Sequence, residues 1–355
     1  MNTYRIPAAE LSDDLVAAWS RWQRADASLD SPFYRPEYTR AVAQHRDDVF
    51  VAVIEEEGQP AGVLPYQLAD NGCVEPVGGV LTDFQGAVTR GGLSWSPSKT
   101  FAQCGVRAYR FDHVPMSQTV LSGYRWRESD SPYVDLSAGF EEFTADRARA
   151  GSRVVSDALR KMRKAEREVG PIRLEAFSDD EQVFEATLRW KREQYGRIGA
   201  IDHLRESWKR DVLREIWKTQ TEHFRGMLSA LYIGDQLAAT HLGMLSHGVL
   251  HCWFPTYPAD DTLARYSPGI AFWIKLAQQA TELGIHRLDL GKGEEPYKQR
   301  LMTGAVLLAE GCVDLRPVSS VVNRGWHGLR EFVKRTPLRT PVQRALRGLR
   351  SWQRG

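Results

Sequence analysis

Cysteine is scarce. The four in these 355 residues, Cys73, Cys104, Cys252 and Cys312, lie far apart with no CxxC pair, which argues against a disulfide framework or a thiolate zinc site and fits a reducing compartment. Long apolar runs are missing too. No segment approaches the roughly 18 uninterrupted apolar residues of a membrane span. The opening MNTYRIPAAELSDD has neither the basic start nor the apolar stretch of a secretory signal, so a cytoplasmic protein is expected. What is present is the composition of a folded chain, 42% hydrophobic and 26% charged with 11 Trp, 12 Tyr and 13 Phe, in a length that suggests two hydrophobic cores.

The small net charge of +2 hides an asymmetry. Residues 316–355 hold ten Lys/Arg against the single acid Glu331, a charge of +9 that leaves −7 on the remainder. An anionic partner is therefore expected at the tail. Within it, Val322, Trp326, Leu329, Phe332 and Val333, then Val342, Leu346, Leu349 and Trp352, fall at helical spacing with basic residues between them. That make-up suits a helix on an anionic bilayer, placing the protein peripherally at the inner face of the plasma membrane. It also suits a helix docked on the protein itself or, third, an Arg-lined site for an anionic nucleotide. No groove-reading motif accompanies it, so duplex nucleic acid is not expected.

The periodicities predict a helix over Asp13–Arg24 and another opening at Pro36 with Tyr38, Ala41 and Val42 on one face. A hairpin follows in VFVAVIEEEGQPAGVLPYQL, turning at Glu57, Gly58, Gln59 and Pro60. A last strand near Ser131–Leu136 suggests domains at 1–145 and 146–316, with the tail at 317–355. The second half opens with a basic helix over Ser152–Val169, stopped by Gly170-Pro171 and followed by the strand IRLEAF. Two helices over Asp179–Tyr195 and Leu204–Thr221, a second hairpin, a helix over Gly269–Leu283, the strand HRLDLG, a short helix over Glu295–Met302 and a final strand complete the pattern. Gln59-Pro60-Ala61-Gly62 and Gln236-Leu237-Ala238-Ala239 stand in the same turn-then-strand context half a chain apart, a faint internal repeat.

Residues 251–304 carry the most chemistry. Their loop enters its helix through Tyr266-Ser267-Pro268-Gly269-Ile270-Ala271, which sets small residues two apart where the first helical N–H groups can face a pyrophosphate. Pro268 and Gly269 are equally ordinary punctuation at a helix start, and the local pattern leaves both readings open. A thioester donor needs such a cradle and a backbone donor for its carbonyl oxygen, which a splayed strand over His251–Phe254 would offer. Departure of a thiolate is helped by a proton donor, and Tyr297 on the short helix is the candidate. Asp289, Glu294, Glu295 and His241 are the candidate bases, and the sequence does not choose among them. Asp289 ends an apolar strand and needs a partner, Lys292 or Lys298. His241, His247 and His251 have no carboxylate at a recognised metal-site spacing, so no metal is expected. Arg153, Arg160, Lys161, Arg163, Lys164 and Arg167 on the basic helix read most simply as a solvated face, with a phosphate contact as the alternative.

The order strand, x-x-x-Gly-x-Ala loop, helix, strand, helix resembles the acyl-CoA core of the GNAT superfamily, whose loop is Gln/Arg-x-x-Gly-x-Gly/Ala; here Tyr266 takes the first place, preceded by Arg265. YSPG, DLGKGEEPYK, the Phe33–Tyr38 segment and the basic helix before GPIRLE resemble the FemAB-like branch, which includes bacterial acetyltransferases of cellulose and other exopolysaccharide synthesis. Over residues 30–310 the resemblance implies an α/β fold of tandem GNAT-like domains, each a mixed, mostly antiparallel sheet flanked by helices. It implies acetyl-CoA as donor, no metal, and a sugar or glycan precursor as acceptor. Arg265, Tyr266, Gly269, Ile270 and Ala271 would then meet the donor, and Lys191, Lys292 and Lys298 the acceptor end, Lys298 binding a phosphate or an oxyanion. The rival expectations are aminoacyl transfer from a charged tRNA, as in peptidoglycan-bridge relatives, and a non-catalytic nucleotide- or membrane-binding regulator of polysaccharide synthesis.

Overall fold

A computed structural model describes residues 1–259 and 261–316; the amphipathic stripes expected between Val322 and Trp352 lie outside these residues. The first half runs β1 (Asn2–Pro7), α1 (Asp13–Arg24), α2 (Pro36–Ala43), β2 (Val49–Glu56), β3 (Gln59–Leu68), β4 (Cys73–Glu75), β5 (Val88–Thr89), α3 (Pro97–Gln103), β6 (Ala108–Pro115), β7 (Arg125–Asp135) and α4 (Gly139–Arg149). The second runs α5 (Val154–Glu168), β8 (Ile172–Glu175), α6 (Glu181–Ile198), α7 (Ser207–Lys218), β9 (Arg225–Ile233), β10 (Gln236–Ser246), β11 (Val249–Thr256), α8 (Asp261–Ala264), α9 (Pro268–Gln279), β12 (Arg287–Asp289), α10 (Pro296–Leu301) and β13 (Gly304–Asp314).

Local chemistry accounts for the helices that the periodicity predicts. Ser12 caps α1 by accepting from the Leu15 N–H, Asp13 and Asp14 oppose the positive end of its dipole, and Leu15, Trp19 and Gln23 are its buried face. Pro36 opens α2, and Tyr38, Ala41 and Val42 are buried as expected. The first hairpin turns on only two residues, Glu57 and Gly58, both at positive φ, so Gln59 and Pro60 already belong to β3. The expected second hairpin is a three-stranded meander, because tight turns at Gly234 and at His247-Gly248 break it twice.

All thirteen strands among the described residues form one sheet in the order β1-β2-β3-β4-β6-β13-β7-β12-β11-β10-β9-β8, with β5 on β3. Read inward from either edge, the halves are alike. Antiparallel β1-β2-β3-β4 corresponds to β8-β9-β10-β11, the parallel pair β4–β6 to β11–β12, and each is closed by one more antiparallel strand. That closing strand is exchanged: β13 closes the first half, β7 closes the second, and the two pair with each other at the centre. The duplication suggested by Gln59 and Gln236 is thus visible in strand direction, with each glutamine opening the matching strand, β3 or β10. A second echo is Trp95-Ser96-Pro97 at the start of α3 and Tyr266-Ser267-Pro268 at the start of α9, each helix lying between the two strands of a parallel pair.

One core cluster joins the halves, with Leu15, Trp19 and Tyr38 packed in the same body as Val183, Phe184 and Trp217. A second lies beneath α5 and α9, and a third belongs to the first half around Phe101 and Tyr109. No helix among the described residues is long and apolar enough to cross a membrane.

Candidate active site

The parallel strands β11 and β12 are paired only over Val249–His251 and Arg287–Asp289, and then they part. β11 continues to Thr256 alone on that side. Just past the last pair it bulges, Cys252 and Trp253 standing opposite the single residue Gly243 of β10. Glycine is required at that point: a Cβ on Gly243 would lie 2.5 Å from the His251 carbonyl oxygen and 2.4 Å from the His241 ring. The wedge opens into a cleft of about 520 Å³ that runs from the start of α9 to Tyr297, with Lys191 and Asp83 on its walls.

At the mouth of α9, Ser267 adopts a left-handed conformation, φ 55°, unusual for a residue with a side chain and often found where a ligand or turn demands it. The Ile270 and Ala271 N–H groups both turn back to the Ser267 carbonyl at 3.0 Å, whereas among the described residues the Gly269 N–H has no partner. The row of free donors expected at Gly269–Ala271 is therefore reduced to Gly269. Gly269 and Ile270 line the cleft, and Ala271 packs into the core. Arg265 and Tyr266 face the other way. Tyr266 is core, its hydroxyl donating to Glu168 at 2.7 Å, and Arg265 pairs with the same carboxylate at 3.5 Å. The cation at the mouth is Lys161 of the basic helix, whose Nζ donates to Ser267 Oγ at 2.7 Å, while Arg153, Arg160, Arg163, Lys164 and Arg167 are exposed.

Across the cleft Tyr297 packs against the second core, and burial pushes its phenol above the usual range. Lys298 is buried beside it, its Nζ donating to the carbonyls of Gly291 at 3.2 Å and Lys292 at 3.0 Å and pairing with Glu295 at 3.1 Å. It ties down the loop between β12 and α10. Lys292 lines the cleft with its ammonium held by Glu310 at 2.7 Å and the Asp112 carbonyl at 3.0 Å. Lys191 differs. It lies between the rings of Tyr195 and Phe254, 5.4 and 5.8 Å away, and among the described residues no hydrogen bond holds it. Burial and then the Lys298 charge bring it down to about 8, so it is still mostly an ammonium at pH 7 and titrates just above neutrality.

Three of the candidate bases are placed away from the cleft. His241 is wholly buried against Phe272 and Trp273, both ring nitrogens without a hydrogen-bond partner among the described residues, and burial followed by the neighbouring His251 brings it down to about 3. Asp289 is wholly buried in the middle of the sheet, raised by burial, and its counter-ion is Arg287 at 3.6 Å instead of Lys292 or Lys298. Glu294 is exposed outside the cleft; Glu295 does line it. A buried imidazole with no partner is a packing group that carries an uncompensated polar cost of about 1–3 kcal/mol. His241→Leu is accordingly expected to hold or raise the melting temperature and to leave turnover within about threefold, read by thermal denaturation and initial rates.

The sequence reading missed Asp83. Its carboxylate enters this cleft from the first half and meets His251 Nε2 at 2.8 Å. It is a lone acid in LTDFQG, and nothing local marks it.

A splayed parallel pair, a bulged strand and a helix start thus meet at one cleft. Residues 152–299, the stretch from α5 to α10 that forms most of this cleft, match the family model described as an acetyltransferase (GNAT) domain. Among curated proteins none matches the sequence. Solved structures share the fold over nearly the whole chain. FemX aligns over 90% of this chain and 98% of its own with a TM-score of 0.56 and 7% identity. L-PGS from Bacillus licheniformis aligns over 88% and 96% with a TM-score of 0.52 and 10% identity. A tandem GNAT protein from the clavulanic acid biosynthesis pathway aligns over 89% and 99% with a TM-score of 0.50 and 9% identity. At such identities the likeness is one of fold.

Proposed function

We propose that this chain transfers an acetyl group from acetyl-CoA to an amine or hydroxyl of a sugar in exopolysaccharide or cell-envelope glycan synthesis. The observation that carries the reading is the continuous cleft lined from the start of α9 to Tyr297, beside the point where the β11–β12 pairing ends. The residues present suit the donor. The unpartnered Gly269 N–H, the positive end of the α9 dipole and the Lys161 ammonium converge on one mouth, which favours a diphosphate. A Cβ at Gly269 would stand 3.2 Å from the Tyr257 ring, so a side chain there would crowd the mouth.

The β11 bulge turns backbone toward the point where a thioester carbonyl would lie, offering N–H donors to the charge that develops on its oxygen. In the transfer, a bond forms from the acceptor nitrogen or oxygen to the acyl carbon while the carbon–sulfur bond breaks. The leaving thiolate takes its proton from Tyr297. Lys191 on the opposite wall, mostly an ammonium at pH 7, is suited to hold an acceptor hydroxyl or phosphate.

Titration calorimetry with CoA tests this reading. Micromolar binding by the full chain that is lost in Gly269→Trp, where the indole fills the mouth, is the expected result. Absence of binding in the unaltered chain would sink the acetyl-CoA reading in favour of aminoacyl transfer from tRNA or of a non-catalytic regulator.

A further inference from the structure

The first half offers no matching donor mouth. Its α3 has seven residues, Ser98 replaces the glycine of the second half, and the Ser96 hydroxyl turns back onto the Ser98 side chain at 3.2 Å and the Lys99 N–H at 3.5 Å. What the first half does supply is Asp83. The segment bearing it is anchored to the second half, with Trp253 Nε1 donating to the Leu81 carbonyl at 2.8 Å and Phe84 packed edge-on against His251 at 6.0 Å. The Asp83 carboxylate then stands at a defined place. His251 is the last β11 residue paired with β12, its Nε2 is 2.8 Å from Asp83 Oδ2, and a Cβ on Gly291, just beyond β12, would lie 3.1 Å from the same oxygen. Asp83 therefore occupies the apex of the wedge between the strands, where the acyl carbon of a thioester bound along the cleft would lie.

We infer that Asp83 is a catalytic residue contributed by the first half, its carboxylate receiving the proton that the acceptor amine or hydroxyl loses, with His251 as its positioning residue. This rests on the acyl-transfer reading above. The atoms balance: the acceptor forms its bond to the acyl carbon, its proton passes to an Asp83 oxygen, and the departing sulfur is protonated from the other wall by Tyr297. His251 is wholly buried and its Nδ1 has no partner among the described residues, so the hydrogen bond the ring makes runs from its Nε2–H to Asp83 Oδ2. That bond fixes one oxygen and, among the described residues, leaves the other, Oδ1, with only His113 at 3.7 Å. Burial works to raise the Asp83 carboxyl, but the His251 hydrogen bond and the charges of His251, His113 and Lys298 outweigh it and hold it below the usual range, so it is a carboxylate at neutral pH. Glu295, the other acid on the cleft wall, is exposed and paired with Lys298.

The test uses the full chain with acetyl-CoA, and with glucosamine or water as acceptor, following thiol release beside calorimetric binding of CoA. Asp83→Asn is expected to lower kcat about a hundredfold or more while CoA affinity and melting temperature hold, and Asp83→Glu to recover part of the loss. His251→Leu is expected to lower kcat about tenfold with CoA affinity unchanged. His251→Gln, which keeps an N–H aimed at the carboxylate, is expected to restore most of it. An Asp83→Asn chain that binds CoA and turns over within threefold of the original overturns the inference. So does one whose loss lies wholly in the KM for glucosamine, and so does an unaltered chain that binds CoA yet neither acetylates glucosamine nor hydrolyses acetyl-CoA above background. An unaltered chain that fails to bind CoA instead overturns the acyl-transfer reading beneath it.

Discussion

Tyr297→Phe is expected to lower kcat by about a hundredfold and to leave the Kd for CoA within about twofold. The magnitude follows from what one positioned proton donor contributes, roughly a hundredfold to ten-thousandfold. The selectivity follows from the packing. Tyr297 rests on the second core through its ring, and phenylalanine keeps that ring, so the substitution removes a proton and little else. Burial holds the phenol protonated throughout the working range, so its protonation state does not change there with pH. Any rise or fall of turnover near pH 8 therefore belongs to another group, and Lys191, brought down to about 8, is the wall residue that titrates there. Rates and calorimetry on the same preparation decide the matter: equal turnover would remove Tyr297 as the acid, and a parallel loss of CoA affinity would make it a binding residue.

The elements around the mouth of α9 were legible in the sequence because they are local. Strand, loop, helix, strand and short helix follow one another between residues 249 and 301, and each carries its own mark: Pro268 and Pro296 at the helix starts, Gly284 after α9, Gly291 and Gly293 after β12. The bases were not legible, for two physical reasons. Strands β10 and β12 lie deep in a sheet covered on both faces, so alternation carries no information; Ala238 through Ser246 are buried without a break, and no parity reveals which way His241 points. Asp83 reaches its partner His251 across 168 residues of chain, through a contact that no local pattern encodes. The same holds for the exchange of β7 and β13. It pairs strands from opposite halves, and a hydrophobic pattern sets which face of a strand is buried without naming its neighbour.

The bulge in β11 links fold to chemistry, and Gly243→Ala tests it at the one residue that permits it. An added methyl meets His241 Cε1 at 2.4 Å, the His251 carbonyl oxygen at 2.5 Å and His241 Nε2 at 2.6 Å. The imidazole is a side chain and has some freedom to shift. The carbonyl belongs to the backbone of a strand held between β10 and β12 and has none. A loss of about 3 kcal/mol is expected, at the upper end of what overpacking a core usually costs, seen as a fall of several degrees in melting temperature. The folded fraction should also turn over slowly, because the methyl displaces His251 and with it both the bulge and the residue that positions Asp83. Adding His241→Leu separates the two contacts. If the imidazole is the softer obstacle, the double variant regains part of the stability and none of the kcat, a non-additivity expected of residues that share one clash. Full recovery of both would mean that the bulge tolerates a side chain behind it, and that the geometry at the apex of the wedge does not depend on Gly243.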